Sequence, residues 1–550
     1  MMETSGEGRA ILQSIVADTG SSVAGAFAEA GADEHGSLGA PQSQRTRDSL
    51  LRYSPAVVLL AILIADSNRR ADPDLWGHIR FGQAFIANRH LIDRDPYSYS
   101  ARGAPWHDYE WIAEVVIAFA YNSAGVVGLK LWKFACTALT VIFVADTEAE
   151  TGASVSTQLL VLLLAALGLV LQMQLRPQMF TFVLLGALLA LLTRDNYRRR
   201  APLWLAVPMM SLWANLHGGW VIGIATLAVY TAGATLYDLA KGDGLKRGYR
   251  LGAISLGALL ATLLNPYGVG LWRAVAWALL APYKRLANDE WQPMLFAMAR
   301  QWHQAHSGIF VYLVVIALVI GLATTCILAP HGDDFPLVAV AAMMAVGAWL
   351  SVRNMGLVAM AASGPLAHHF DLVRQRWRAR AAPPASRPVN RWVILAMGVA
   401  LMFKMGLFSK HLDSDQRGPG DALAFMHAHH LEGRIFNEWG WGGYLIWHAA
   451  PGSKIFVDGR DDTVYPLEVV RQYLQFHFDL PGAAHVLDAY PHDFVLMATS
   501  APARHLMEQR RDWKLLYRDD NSLLYARASA PAANLPGLPV IGAAHPSSFP

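Results

Sequence analysis

The sequence predicts a polytopic α-helical membrane protein, with about eleven transmembrane helices and a small C-terminal α/β domain outside the membrane. Three observations predict it. Of 550 residues, 54% are hydrophobic and only 16% charged, with a mean hydropathy of +0.27, too apolar for a soluble chain with one or two cores. The apolar residues fall in blocks of about 15 to 22, the length that crosses a hydrocarbon layer about 30 Å thick at about 1.5 Å per helical residue. Beyond residue 410 the blocks stop, and short β-like runs alternate with helical ones.

Residues 1–50 open the chain as a tail rich in Gly, Ser and Ala. They lack a basic start leading into an apolar core, so they read as a disordered cytoplasmic tail and not as a cleaved signal peptide. The membrane domain covers 51–410, with spans predicted at about 53–66, 130–147, 156–174, 178–193, 202–216, 218–240, 251–265, 308–328, 337–352, 354–370 and 391–408. Residues 111–128 either cross or lie flat, because their apolar core holds Glu114 and is followed by Asn122, Ser123 and two glycines. Basic residues decide between the two, since short cytoplasmic loops collect Lys and Arg. The segments RDNYRRR from Arg194, KGDGLKRGYR from Lys241 and the linker from Arg374 to Arg391 fall on one side if 111–128 does not cross. Arg45, Arg47 and Arg52 join them, while Lys130 and Lys133 are a local exception. Residues 67–129, 266–307 and 409–550 are then outside. Residues 411–527 form the outer α/β domain, whose last segment reads as a hairpin turning at Asp519 to Ser522, and 528–550 are a second disordered tail.

This orientation gathers Asp72, Asp74, His78, Arg176, Asn215, His217, Asn265, Glu290, Arg353 and Asn354 at the outer face. Ionisable residues collected at one membrane face suggest one site. The long first outer loop carries Asp72-Pro73-Asp74 directly after a span, with His78 and Arg80 close by. Two carboxylates so spaced bind a divalent cation, serve as general base, or merely cap the helix beginning near Leu75. Arg176 precedes Pro177 between two apolar blocks, His217 precedes two glycines, and Arg353 sits in SVRNMG. Guanidinium forks match phosphate oxygens, so the two arginines and the histidine fit a lipid phosphate or pyrophosphate; the alternative is snorkelling to headgroups. Glu290 is a further carboxylate that would join Asp74 at a metal. In the C-terminal domain, Trp439, Trp441 and Tyr444 stand among glycines, a composition that either stacks on sugars or peptides or forms an aromatic core. The net charge of +3 makes no case for nucleic acid, and Cys136 and Cys326 lie in separate apolar runs with no disulfide framework.

These features together resemble the C-type membrane glycosyltransferases, which use polyprenyl-phosphate sugars. The resemblance covers most of residues 53–525. DPDLWGHIRFG, RPQMF, ANLHGG, NPYG, EWQP, SVRN and FNEWGWGGYLIW are similar to segments of a bacterial branch described only as glycosyltransferase-like membrane proteins. EWGWGGYLI is similar to the WWDYG motif of oligosaccharyltransferase catalytic subunits, with Trp439, Trp441, Gly442 and Tyr444 carried over and the motif's acidic residue unmatched. The resemblance implies a GT-C-like fold in the bacterial cytoplasmic membrane, a polyprenyl-phosphate sugar donor, and a glycan, lipid or protein acceptor held by Trp439, Trp441 and Tyr444. Asp74 or Asp72 is then the catalytic or metal-binding carboxylate, with Mg2+ or Mn2+ as the ion, and Arg176, His217 and Arg353 take the donor phosphate. No second DxD follows in the later outer loops. The alternative is a non-catalytic protein of the same fold that binds a glycan or an assembly partner.

Overall fold

The computed structural model describes residues 60–62, 64, 70–199, 201–280, 283–284, 289–303, 308–378, 412–414 and 418–535. The N-terminal tail, the span expected at 391–408, and most of the span expected at 53–66 and of the second tail lie outside the described residues. Strand β1 (Arg70–Ala71) leads to helix α1 (Leu75–Asn88), followed by α2 (Trp111–Glu150), α3 (Val155–Leu169) and α4 (Gln178–Arg198). Then come α5 (Ala206–Ala214), α6 (Trp220–Lys241), α7 (Lys246–Ala261), α8 (Val269–Leu280), α9 (Met294–His303), α10 (Ile309–Leu328), α11 (Phe335–Leu350) and α12 (Met355–Arg378).

Among the described residues, four helices, α2, α4, α6 and α10, are long and apolar enough to cross a membrane, and α3, α8 and α11 are shorter apolar helices. The described residues therefore show four of the eleven expected spans at full length. Their outward faces are greasy: Leu264, Leu280, Phe310, Ile320 and Ile327 are each more than half exposed, which suits lipid and not water. The inward faces share one core in which Phe182, Leu185 and Leu189 of α4 join Val141 and Val144 of α2 and Ala359 and Met360 of α12. These features make the chain a multi-pass membrane protein.

Helix α2 is broken at Ala124 (φ −147°) and Gly125 (φ 59°, ψ −139°), a backbone state that glycine adopts without Cβ strain. Residues 111–123 are thus a separate limb, about 20 Å long at about 1.5 Å per residue, too short for a hydrocarbon core about 30 Å thick.

At the far ends of these helices, two of the basic segments meet. Arg247 and Arg250 pair with the fully buried Asp195 at 2.8 and 2.5 Å, and Arg194 and Arg198 pair with Glu150 at 3.1 and 2.7 Å. Both segments belong to one end of the bundle, as the charge bias requires.

The C-terminal domain begins with β2 (Asp413–Ser414), which pairs in parallel with β1 and so ties it to the entrance of the first outer loop. Helix α13 (Gly420–Ala428), β3 (Arg434–Asn437), α14 (Gly442–Ala449), β4 (Lys454–Ile455), α15 (Leu467–His477), α16 (Ala483–Ala489), β5 (Phe494–Ala498), α17 (Arg504–Gln509), β6 (Trp513–Arg518) and β7 (Ser522–Arg527) follow. The mixed sheet has the order β4-β3-β5-β7-β6, parallel from β4 to β5 and antiparallel beyond. The β6–β7 hairpin turns at the expected place, where Asp519 Oδ1 accepts the backbone N–H groups of Asn521 and Ser522 at 2.7 and 2.6 Å.

The first outer loop is not free in solvent. It lies along the β4 edge, where Tyr99 N–H donates to Ile455 O at 3.0 Å and Ile455 N–H to Tyr97 O at 3.2 Å. The loop thereby covers a sheet edge and welds the two halves.

Candidate functional site

Where the loop, the membrane helices and the C-terminal domain meet, they enclose a cavity of about 710 Å³. Asp74, Arg176, His217, Arg353 and Trp439 all line it. Five residues singled out in the sequence thus share one cavity.

Asp72, Pro73 and Asp74 form the turn into α1, in which Asp74 N–H donates to Asp72 Oδ1 at 3.0 Å and Leu75 N–H to Asp72 O at 3.0 Å. The two carboxylates then part company. Asp72 is 5% exposed and accepts a hydrogen bond from Arg176 Nε–H. Asp74 accepts no side-chain hydrogen bond from any described residue, and its carboxylate lies against Gly459, where an added Cβ would overlap it. Burial and the neighbouring Asp72 carboxylate push the Asp74 carboxyl up to about 6.

Arg176 precedes α4, where Pro177 caps the helix, and its Nη1 donates to both oxygens of Glu290 at 2.8 and 2.9 Å. Although burial pulls the other way, Arg176 and Arg353 hold Glu290 below the usual carboxyl range. Arg353 lies over the Trp291 ring at 5.5 Å and has no carboxylate partner within salt-bridge distance among the described residues. It reaches only His217 Nε2, at 3.5 Å.

His217 follows α5 at the turn into α6. Its Nδ1 accepts the Gly219 backbone N–H at 2.9 Å and also meets Thr181 Oγ1 at 2.8 Å, the hydroxyl oxygen that accepts from Trp213 Nε1–H at 2.9 Å. Burial and the Arg353 charge hold the imidazole well below its usual value, so it is neutral at pH 7. With Nδ1 occupied as acceptor, the ring proton belongs on Nε2, 3.6 Å from Glu110, so the 3.5 Å approach of Arg353 Nη2 to that nitrogen is not a hydrogen bond.

The aromatic motif divides. Trp439 is half-buried on the cavity, while Trp441 is 5% exposed within the domain core and Tyr444 packs edge-on to Trp76 of α1, with centroids 5.3 Å apart. Its glycines serve the junction: Gly443 faces the Pro73 carbonyl and the Gly77 N–H, where a Cβ would sit at 3.0 and 3.3 Å. Backbone rests closely on backbone there, and a Cβ would push the two apart by a few tenths of an ångström.

Another C-terminal segment, VDGRDD at 457–462, supplies the rest. Arg460 is 8% exposed, pairs with Asp458 at 2.6 Å and with Asp95 of the outer loop at 2.7 Å, and is surrounded by the rings of Phe81, Tyr97, Trp106 and Tyr465 at 4.9 to 5.9 Å. Sequence reasoning gave no role to Glu110, Asp108, Lys284 or Asp461, which also line the cavity. Burial pushes Glu110 up to about 7 and Asp108 well above its usual value. A usable signal existed for the loop pair, since Asp108 and Glu110 repeat the two-residue spacing of Asp72 and Asp74 directly before a helix.

The donor set does not fit the expected divalent ion. Glu290 and Asp72 give their oxygens to Arg176, which leaves Asp74 alone of the expected ligands, and no group of three or more metal-ligating side chains gathers among the described residues.

No protein-family model and no curated protein matches the sequence. Solved structures do. The apo oligosaccharyltransferase of Archaeoglobus fulgidus superposes with a TM-score of 0.50 at 12% identity, covering 81% of this chain and 70% of that one. The same archaeal enzyme tethered to an acceptor peptide containing the NVT sequon gives 0.51 at 11% identity, over 81% and 69%. Its complex with an inhibitory peptide and a dolichol-phosphate gives 0.50 at 11%, over 80% and 69%. The likeness is one of fold: this chain shares the fold of the archaeal oligosaccharyltransferase.

Proposed function

We propose that this chain is an inverting glycosyltransferase of the bacterial cytoplasmic membrane, moving a sugar from a polyprenyl-phosphate carrier to a glycan, lipid or protein acceptor on the outer side. The observation that carries the reading is the chemistry of one cavity. It holds Asp74, a carboxylate that accepts no side-chain hydrogen bond from any described residue, together with Arg353, which has no carboxylate partner among the described residues, and His217 Nε2, 3.6 Å from Glu110. The archaeal enzyme of the same fold, solved with a dolichol-phosphate, supports the carrier.

A carboxyl at about 6 is ionised at neutral pH yet is a stronger base than an ordinary one. Asp74 takes the proton of the acceptor's hydroxyl or amide as that oxygen or nitrogen bonds to the anomeric carbon. The bond from that carbon to the phosphate oxygen breaks, and its electron pair leaves with the lipid phosphate. Arg353, Arg176 and His217 Nε2–H receive the charge as it develops, in a site partly shielded from water. Trp439 offers the acceptor a flat face at the mouth of the C-terminal domain.

The test is release of labelled sugar from purified chain in lipid nanodiscs. Asp74→Asn is expected to lower release by about 10²-fold or more, the usual worth of a positioned base. Undiminished release in that variant, or no release by wild type across donors of several sugars, would refute the reading.

A further inference from the structure

The clamp around Arg176 goes beyond phosphate binding. Its Nε–H is taken by Asp72 and its Nη1 by both oxygens of Glu290 at 2.8 and 2.9 Å. Nη2 has no acceptor among the described residues and is not sealed from the cavity that Arg176 lines. Two carboxylates from distant loops therefore converge on one fixed cation whose remaining N–H groups are free for a ligand. That is the arrangement in which a divalent ion would otherwise bridge carboxylates and phosphate.

We propose that Arg176 is the resident cation of this centre, its guanidinium holding the position between Asp72 and Glu290 that a divalent ion would take and meeting the ligand phosphate directly. The proposal rests on the glycosyltransferase reading only for the identity of that phosphate.

Three features fix the guanidinium there. Pro177 sets the turn before α4, with Arg176 N–H bonded to Gln174 O at 2.8 Å. Glu290 is tied down from behind, as its carbonyl accepts from Ser351 Oγ at 2.9 Å. Asp72 is held by the turn into α1, so its carboxylate cannot swing away without unmaking that turn. A dication entering between Asp72 and Glu290 would take both of Arg176's partners and leave a guanidinium facing it at close range. Like charges in a half-buried site repel strongly, so ion and arginine exclude each other. Arg353, over Trp291 next to Glu290, supplies the second fork for a phosphate.

The experiment titrates Mn2+ into the purified full-length chain and reads free ion by electron paramagnetic resonance. Wild type is expected to leave Mn2+ free, or to bind it in a way that Asp72→Asn and Glu290→Gln do not change. Arg176→Met is expected to take up an ion, because Asp72 and Glu290 have lost the guanidinium they share, and adding Glu290→Gln to it abolishes the uptake. Stoichiometric uptake by wild type that disappears with Asp72→Asn or Glu290→Gln overturns the assignment, as does a folded Arg176→Met chain that binds none. Should Arg176→Met fail to fold, the wild-type titration decides alone. No sugar transfer enters the readout, so failure of the glycosyltransferase reading would show separately, as absent release with this Mn2+ pattern intact.

Discussion

Asp74→Asn is expected to lower transfer by about 10²-fold or more and, at pH 7.5, to make the protein more stable. Burial and Asp72 push the Asp74 carboxyl from its ordinary 3.8 up to about 6. A group that binds its proton more tightly in the folded chain contributes stability that is complete below the unfolded value, near pH 4, and is lost as pH rises through about 6. At pH 7.5 the ionised Asp74 thus costs up to about 3 kcal/mol, at about 1.4 kcal/mol per tenfold change in proton affinity. Access of water from the cavity and coupling to Asp72 reduce this to about 1 to 2 kcal/mol. Asparagine carries no charge at any pH and escapes the cost. Asp72→Asn has the opposite sign, since it breaks a buried pair with Arg176 and loses about 3 kcal/mol or more. Differential scanning fluorimetry of the three proteins at pH 4.5 and 7.5 reads both effects. Asp74→Asn should melt above wild type at pH 7.5 and near it at pH 4.5. A lower melting point at pH 7.5, or an equal offset at both pH values, would contradict the placement of an unpaired carboxylate there.

Other outcomes follow from the same geometry. Wild-type transfer should fall about tenfold per pH unit below 6, as Asp74 takes up its proton; a flat profile from pH 7 to 5 would remove Asp74 as the base. Gly459→Ala places a methyl against the Asp74 carboxylate and should depress kcat while leaving the melting point within a few degrees, because the glycine backbone is not in a left-handed state; unaltered kcat would count against the contact. Arg353→Gln should raise the donor KM about tenfold or more, the worth of a charged hydrogen bond, without destabilising a residue that lacks a carboxylate partner. Arg460→Met breaks buried bonds to Asp458 and Asp95, costs about 3 to 5 kcal/mol, and should expose residues 89–106 to limited proteolysis; unchanged protection would argue against its role as the weld.

Much of the site was legible because membrane insertion constrains where charge goes. Arg176, His217 and Arg353 each interrupt or end an apolar block, and the bias of Lys and Arg toward the opposite end assigned them to one face. Asp72 and Asp74 were legible as a pair, but their division of labour was not, since both have the same local sequence context. It arises from Arg176, 104 residues away, which claims one of them. For EWGWGG the sequence left a ligand surface and an aromatic core both open, whereas Gly443 serves backbone approach to α1 and Trp441 fills the domain core. Composition cannot tell a ring that stacks on a ligand from one that packs inside. Arg460 was beyond reach for the same reason: its partner Asp95 lies 365 residues earlier, and no periodicity records such a contact. The limb at 111–128 stayed ambiguous because hydropathy does not report a helix break, and the Ala124–Gly125 kink does.

The central claim, that this cavity receives a polyprenyl phosphate, is tested most directly by photo-crosslinking. A polyprenyl phosphate carrying a diazirine near its phosphate, incubated with the purified chain, should label peptides containing Arg353, His217 or Asp74. Unlabelled polyprenyl-phosphate sugar should compete, and Arg353→Gln should weaken the labelling. Labelling confined to lipid-facing positions such as Phe310 and Ile327, insensitive to competitor and to Arg353→Gln, would contradict the account.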